Sequence, residues 1–216
     1  MKKTNLTFIA AILLCGLSAQ PVPSIVGPYK AVNPYKYSIV KNAVYSHGAV
    51  SSAHPLASQV GAAMLKRGGN AFDAAIATQL ALAVVYPGAG NIGGGGFLLA
   101  RRTNGELIGL DYREAAPSKA SRDMYLDKNG NAQVSLSQNG HLASGIPGTI
   151  AGLFASLTYA RLPFRQLIQP AIDLAEKGFV ITEREANNLN NSRESFIKYN
   201  TKPTVFVKPV KWKAGD

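Results

Sequence analysis

The sequence predicts an α+β fold. Two strand-like runs lie next to each other in the middle of the chain, and helix-like segments form groups before and after them. Such clustering is typical of separate helical and sheet layers, whereas strict alternation would favour a doubly wound parallel sheet. The 216 residues, 46% of them hydrophobic, are enough for one large domain or two small ones with a packed core.

The first residues are typical of a secretory signal peptide. Lys2 and Lys3 precede an uncharged apolar run, residues 6–17, and small residues up to Ala19 offer a cleavage site. The run is shorter than the roughly 20 residues that cross a bilayer, so a removable signal is favoured over a permanent membrane anchor. We therefore expect residues 1–19 to direct export to the periplasm or out of the cell.

The single cysteine, Cys15, lies inside this signal. A lipoprotein would carry a small residue directly before the cysteine, where this chain has Leu14, so lipidation is the less favoured alternative. Removal of the signal would leave a chain without cysteine. That excludes a thiol nucleophile, a disulfide framework and a thiolate metal site.

The formal net charge of +11 is partly due to the two signal lysines. A nucleic-acid-binding protein would place basic residues and exposed aromatic residues on one face, whereas most of these charges are scattered. One basic run near residue 216 is interpreted as a solvated edge. It comprises Lys198, Lys202, Lys208, Lys211 and Lys213, with Phe206 and Trp212 among them. We expect no nucleic-acid partner.

The first elements are an extended lead-in and a helix. The lead-in covers residues 20–41, and a short β-prone run predicts a first strand at 43–45. Apolar residues at helical spacing then predict a helix over 57–66. The pair Gly68-Gly69 supplies the left-handed stop that ends it.

A second helix follows directly. Asn70 is a favoured N-cap residue, and Asp73 complements the free amides and the positive end of the helix dipole. The predicted helix, residues 71–85, is apolar on almost every side. Such a helix must be buried on most of its surface.

A β-hairpin is predicted in the middle of the chain. Its strands cover 97–102 and 106–114, and Asn104-Gly105 between them is a strong hairpin signal. Since side chains alternate along a strand, Arg113 shares a face with Leu107, Gly109 and Asp111. This face is less apolar than the face of Ile108, Leu110 and Tyr112.

Three more helices are expected after the hairpin. Two of them, over 149–162 and 164–177, are separated by Pro163; Gly178 ends the second, and Pro170 predicts a kink within it. Thr182 and Glu185 form a capping box for the third, near 183–197.

The glycine-rich loop over 88–96 is a poor candidate for nucleotide binding. It lacks the Gly-Lys-Ser/Thr ending of a P-loop and leads into a strand, whereas the dinucleotide fingerprint opens a helix. Two interpretations remain open. The glycines form tight turns, or they allow close backbone approach to a substrate or to a neighbouring active-site strand.

Arg113 is the best candidate for a binding residue. A guanidinium grips a carboxylate through two parallel hydrogen bonds. The alternative is an internal ion pair with Asp111 or Glu114, and the local sequence alone favours this alternative.

The sequence contains no motif typical of a metal-dependent hydrolase or a serine hydrolase. His47, His54 and His141 show no metal-ligand spacing and are expected at the surface or at helix caps. No serine or threonine lies in a G-x-S-x-G nucleophile elbow.

Five segments, in this order and spacing, resemble the γ-glutamyltransferase (glutathione hydrolase) family, especially its exported bacterial members. They are QVG (59–61), GGNAFDAA (68–75), GNIGGGGF (90–97), DYREAAP (111–117) and HLASGIPGT (141–149). The resemblance extends over most of residues 42–216, which we expect to be the N-terminal portion of the family's large subunit.

The resemblance implies an N-terminal-nucleophile hydrolase, an αββα sandwich made as a proenzyme that cleaves itself into a large and a small subunit. The new N-terminal threonine would attack the γ-glutamyl amide of glutathione or similar compounds, and the acyl group would pass to water, an amino acid or a peptide. No metal or organic cofactor is implied. By position, Arg113 matches the family arginine that holds the α-carboxylate of the γ-glutamyl group.

The family's nucleophile has no counterpart in this sequence. None of its threonines opens the T-[TS]-H-[FY] start of the small subunit, so we expect the chain to supply the substrate anchor of an incomplete sandwich and no catalytic residue. The alternative is a degenerate exported relative that binds γ-glutamyl or amino-acid ligands without turnover.

Overall fold

The computed structural model describes residues 44–216. The predicted signal at 1–19, Cys15 and the lead-in at 20–41 lie outside this range. The strand predicted at 43–45 is wrong for its two described residues, since Val44 and Tyr45 are 99% and 66% exposed and form no strand. Their β-prone side chains have no described strand to pair with.

Helices and one two-stranded antiparallel sheet make up the described chain, as the α+β prediction requires. In chain order the elements are α1 (Pro55–Lys66), α2 (Ala71–Val85), β1 (Phe97–Arg101), β2 (Leu107–Asp111), α3 (Val134–Gln138), a 3-10 turn (His141–Ala143), α4 (Thr149–Leu157), α5 (Phe164–Lys177) and α6 (Glu183–Tyr199).

The core forms where α2 packs between α1 and α5. Ala77 and Ala81 of α2, Val60 of α1 and Leu167 of α5 are completely buried. The small residues of α2 let its neighbours approach closely on more than one side, as its nearly all-apolar sequence predicts. Helix α2 therefore forms the centre of the core, in contact with α1, α4 and α5.

The start of α2 is tied to a distant part of the chain. Asn70 and Asp73 form a capping box, which confirms the predicted cap, and Gly68 has the left-handed φ of 87° expected there. The carboxylate of Asp73, completely buried, also accepts the N–H groups of Arg161 and Leu162 at 3.1 and 2.8 Å. One side chain therefore fixes the start of α2 against the segment between α4 and α5.

The predicted hairpin is present, with Phe97 opposite Asp111 and Arg101 opposite Leu107. Its strands are shorter than predicted because the turn begins at Arg102, whose N–H donates to the carbonyl of Glu106 at 2.8 Å. Beyond β2 the pairing extends by one residue, since Tyr112 and Gly96 exchange two hydrogen bonds of 3.0 and 3.3 Å. Residues 112–114 are held by loops on both sides rather than by a longer partner strand.

Helix α4 is shorter than predicted, whereas α5, Phe164–Lys177, has the predicted bounds. α4 ends at Leu157 instead of residue 162, because Asp73 draws Arg161 and Leu162 away from the helix path. α5 continues past the buried Pro170 up to Gly178, so that proline does not interrupt it.

The chain after α5 follows the predicted capping chemistry. The capping box of Thr182 and Glu185 begins α6 as expected, and α6 extends to Tyr199. The short helix α3 had no sequence prediction. None of the helices within residues 44–216 has the length and apolar character needed to cross a membrane.

Candidate functional site

Arg113 lies two residues beyond the end of β2 and is exposed. Its backbone N–H donates to Oδ1 of Asp111 at 3.0 Å. Within residues 44–216 its guanidinium forms neither a hydrogen bond nor an ion pair. The internal ion pair with Asp111 or Glu114 that the local sequence favours is therefore wrong, because the carboxylate of Asp111 caps the backbone instead.

The glycine-rich loop is pressed against the backbone on either side of Arg113. A Cβ atom added to Gly95 would lie 2.4 Å from the nitrogen of Glu114 and 2.5 Å from the carbonyl oxygen of Tyr112. No side chain fits at such distances. Gly95 therefore fits the second interpretation of this loop, close backbone approach to a neighbouring strand. The end of that strand carries Arg113.

The start of α4 forms the opposite wall. A Cβ atom on Gly148 would lie 2.0 Å from the carbonyl oxygen of Tyr112. The N–H groups of Gly148 and Thr149 both donate to the carbonyl of Gly94, at 2.9 and 3.1 Å. The glycine loop and α4 are thus joined directly to each other around the segment that carries Arg113.

A second contact extends this arrangement by a few residues. Ala115 and Ile146 form an isolated antiparallel bridge, with hydrogen bonds of 3.1 and 2.8 Å. Three segments far apart in sequence, 90–97, 111–117 and 141–149, therefore meet at one place. The candidate site is the exposed side of this junction, where Arg113 projects from it.

An open groove of about 860 Å³ lies beside the junction. It runs along α2 and the segment 47–52 and reaches Tyr112, but Arg113 is not part of its lining. Apart from His47 and Tyr112, its lining residues are glycine, aliphatic residues and uncharged Ser, Thr, Asn and Gln. Its chemistry is too sparse for a catalytic centre, and we place the candidate site at Arg113.

The histidines have the predicted roles. His54 is 4% exposed and begins α1 as its N-cap: Nδ1 accepts the N–H of Leu56 at 3.2 Å, and Nε2 lies 3.1 Å from Oε1 of Glu185. Burial lowers the pKa of His54, and the nearby Glu185 carboxylate partly opposes that shift. His47 and His141 are exposed.

No metal site is evident in the part of the chain that the structure describes, since no three His, Cys, Asp or Glu side chains come together there.

The basic run near residue 216 is more ordered than a plain solvated edge. Lys208 forms an ion pair with Asp216 and lies 4.4 Å from the centre of the Trp212 ring. The indole N–H of Trp212 donates to the carbonyl of Phe206 at 2.9 Å. The other four lysines of the run are exposed, as predicted.

Sequence reasoning missed the residues that hold Arg113 in place. The sequence places Tyr112 on the more apolar face of the second strand. It places Gly148 in the family-like segment 141–149 and Gly152 in the helix predicted over 149–162, and it indicates no contact among the three. The spacing of four residues between the two glycines was an available signal, because glycines at i and i+4 open one face of a helix to close contact.

The chain matches the model of the Gamma-glutamyltranspeptidase family over residues 57–216. It is 41% identical to the glutathione hydrolase proenzyme of Escherichia coli K12 over 189 residues, which cover 85% of this chain and 32% of that protein. It is 49% identical to the glutathione hydrolase proenzyme of Pseudomonas sp. A14, over 70% of this chain and 27% of that protein. The chain thus spans about a third of the length of these relatives or less.

Among solved structures, the chain is similar to Helicobacter pylori γ-glutamyltranspeptidase, with a TM-score of 0.77 and 48% identity over 81% of this chain and 51% of that one. This similarity confirms the predicted fold class, an N-terminal-nucleophile hydrolase of the α+β type, of which the described residues form a part. The matched range includes all three segments that meet at Arg113. The chain belongs to the γ-glutamyltranspeptidase family.

Proposed function

We propose that the chain is the N-terminal portion of the large subunit of a proenzyme that hydrolyses glutathione and other γ-glutamyl compounds and transfers their γ-glutamyl group to amino acids or peptides. Support comes from relatives called glutathione hydrolase proenzymes, which are 41% and 49% identical. Water is the acceptor in hydrolysis, and an amine is the acceptor in transfer. Residues 42–216 are the proposed large-subunit portion.

Arg113 is the proposed anchor for the α-carboxylate of the γ-glutamyl group. The single observation that carries this role is a guanidinium that is exposed and unpaired among residues 44–216, on a backbone held from both sides. A guanidinium with no internal partner keeps its planar fork available for a ligand carboxylate. Anchoring this end of the substrate would fix where its γ-amide lies.

The group that cuts the γ-amide is proposed to come from the small subunit of the same proenzyme. After self-cleavage, the hydroxyl of its N-terminal threonine attacks the γ-carbonyl carbon, and the α-amine of that threonine takes the hydroxyl proton. The proton passes to the departing amine as the C–N bond breaks. Water or an acceptor amine then attacks the ester and releases the γ-glutamyl group. These steps involve no metal or organic cofactor.

We also propose export through residues 1–19 to the periplasm or the outside of the cell, without a permanent membrane anchor. Removal of the signal near Ala19 would shorten the protein at its N-terminus. Mass spectrometry of the native protein reads this change directly, since an uncleaved anchor would retain Met1 or Lys2.

The function is tested on the protein purified from its native host. We expect two polypeptides in equal amounts, the larger containing residues 42–216 and the smaller beginning with threonine, together with release of glutamate from glutathione. A single species ending at residue 216 that binds glutamate without turnover would support the degenerate relative instead. Absence of both turnover and glutamate binding would contradict any γ-glutamyl function.

A further inference from the structure

The ring of Tyr112, the residue before Arg113, packs closely against two glycines. A Cβ atom on Gly152 would lie 2.2 Å from Cγ of Tyr112, and one on Gly96 would lie 2.9 Å from its Cε2. Both glycines therefore leave space that the ring occupies. The aromatic ring of Tyr112 fits into a slot formed by α4 and by the residue before β1.

Both the main chain and the hydroxyl of Tyr112 form hydrogen bonds. Its N–H donates to the carbonyl of Gly96 at 3.0 Å, and its carbonyl accepts the N–H of Gly96 at 3.3 Å. Its hydroxyl donates to Oε1 of Gln79 on the buried helix α2, at the outer limit of 3.5 Å. Tyr112 thus contacts three separate parts of the fold.

Arg113, by contrast, has one hydrogen bond of its own within residues 44–216, from its N–H to Asp111. Among the described residues, the guanidinium has no hydrogen bond or ion pair that would hold it in position. Since a rigid trans peptide keeps adjacent Cα atoms about 3.8 Å apart, the placement of Tyr112 restricts where Arg113 can lie.

We propose that Tyr112 is the positioning residue for Arg113: its ring in the glycine slot sets where the guanidinium meets the substrate α-carboxylate. The inference rests on the proposed carboxylate-anchoring role of Arg113. The ring does not need to touch the substrate. It acts through the backbone, so its effect should be seen only with ligands that Arg113 binds.

The test uses the complete processed enzyme and two donors, L-γ-glutamyl-4-nitroanilide and 4-aminobutyryl-4-nitroanilide, which differ by the α-carboxylate. Tyr112→Leu should lower kcat/KM for the first donor by about 10- to 100-fold, mainly through KM, since a displacement of about 1 Å can cost that much. For the second donor, kcat/KM should change by less than about twofold, which is the usual scatter between independent sites. Tyr112→Phe should restore most of the loss because the ring is kept.

A double variant separates positioning from general destabilisation. In an Arg113→Ala background, Tyr112→Leu should have no further effect on the first donor, because residues that act through one another are not additive. Equal losses with both donors, or a full additional loss in the Arg113→Ala background, would overturn the positioning role. If Arg113→Ala does not distinguish the donors, the anchoring role of Arg113 fails and the inference fails with it.

Two further variants keep the test decisive if Tyr112→Leu does not fold or process. Gly96→Ala adds a methyl group 2.9 Å from the ring and should cause a smaller loss that again depends on the donor. Phe72→Leu is the matched control, because Phe72 is a buried aromatic residue of α2 that stacks on Tyr159, away from Arg113. It should affect both donors alike, and a Gly96→Ala effect that is also the same for both would contradict the proposal.

Discussion

Substitution by alanine should have different effects at Gly148, which is closely packed, and at Gly88, which has open space around it. Gly148 has an ordinary helical backbone, with φ −107° and ψ −15°, so alanine is acceptable there except for the contact of its Cβ at 2.0 Å with the carbonyl of Tyr112. We expect Gly148→Ala to lower the free energy of unfolding by about 1–3 kcal/mol through overpacking.

Gly88→Ala is the control, because a Cβ atom there meets nothing within 4 Å. Its effect on the free energy of unfolding should stay within about 1 kcal/mol, with a gain expected from reduced chain entropy. Urea unfolding of both variants gives the comparison. Equal stability of the two variants would contradict the close packing around Tyr112.

We expect His54 to make the junction of α1 and α6 sensitive to pH. Its Nδ1 accepts the N–H of Leu56, which only the neutral ring with its proton on Nε2 can do, and burial lowers its pKa below the ordinary 6.5. Below that ordinary value the unfolded chain takes up the proton and the folded chain resists it. The contribution to stability is therefore full above pH 6.5 and is lost as the pH falls.

The substitution His54→Asn distinguishes the effect of His54 protonation from its role as the N-cap of α1. His54→Asn keeps a side-chain acceptor favoured at N-caps but cannot titrate. The free energy of unfolding of the wild type should fall more between pH 7.5 and pH 5 than that of His54→Asn, as measured by urea titration. A fall of the same size in both proteins would rule out the role assigned to His54.

Local chemistry predicts the starts of helices well and the ends of strands poorly. The caps at Asn70 and Thr182 were correct because each depends on residues no more than three positions away. The end of α4 and the path of residues 112–114 depend on Asp73, Gly95 and Gly148, which come from elsewhere in the chain. No local pattern contains those contacts.

Part of the candidate site was accessible from sequence and part was not. The chemistry of Arg113 was predicted from its side chain and the family resemblance, and its role stays a prediction. The contacts that hold it were not predicted, because the sequence left open whether the glycines form tight turns or approach a substrate or a neighbouring strand. The contact partners of Gly95 and Gly148 appear only when the segments around 95, 112 and 148 are brought together in space.

The hairpin exposes three large apolar side chains on the face that also carries Arg101 and Asp111. Phe97, Leu99 and Leu107 are 63%, 90% and 78% exposed, while Ile108 on the other face is 8% exposed. Two strands with open edges and an apolar face are prone to pair with another chain. We expect the 216-residue chain expressed alone to self-associate.

Leu99→Lys places a charge at the centre of this face and should raise the monomeric fraction measured by light scattering. Val205→Lys is the control, because Val205 is 84% exposed and lies outside the hairpin. It adds the same charge and should have a much smaller effect. A wild-type chain that is already monomeric, or equal effects of the two substitutions, would contradict the importance of the hairpin face.

Calorimetric titration of the processed enzyme with L-glutamate and 4-aminobutyrate tests the proposed role of Arg113 as the anchor of the α-carboxylate. We predict that the wild type prefers L-glutamate by about 2–3 kcal/mol, that Arg113→Ala loses this preference, and that Arg113→Lys keeps part of it because an ammonium lacks the planar fork. A preference for L-glutamate that is unchanged in Arg113→Ala would contradict the central claim.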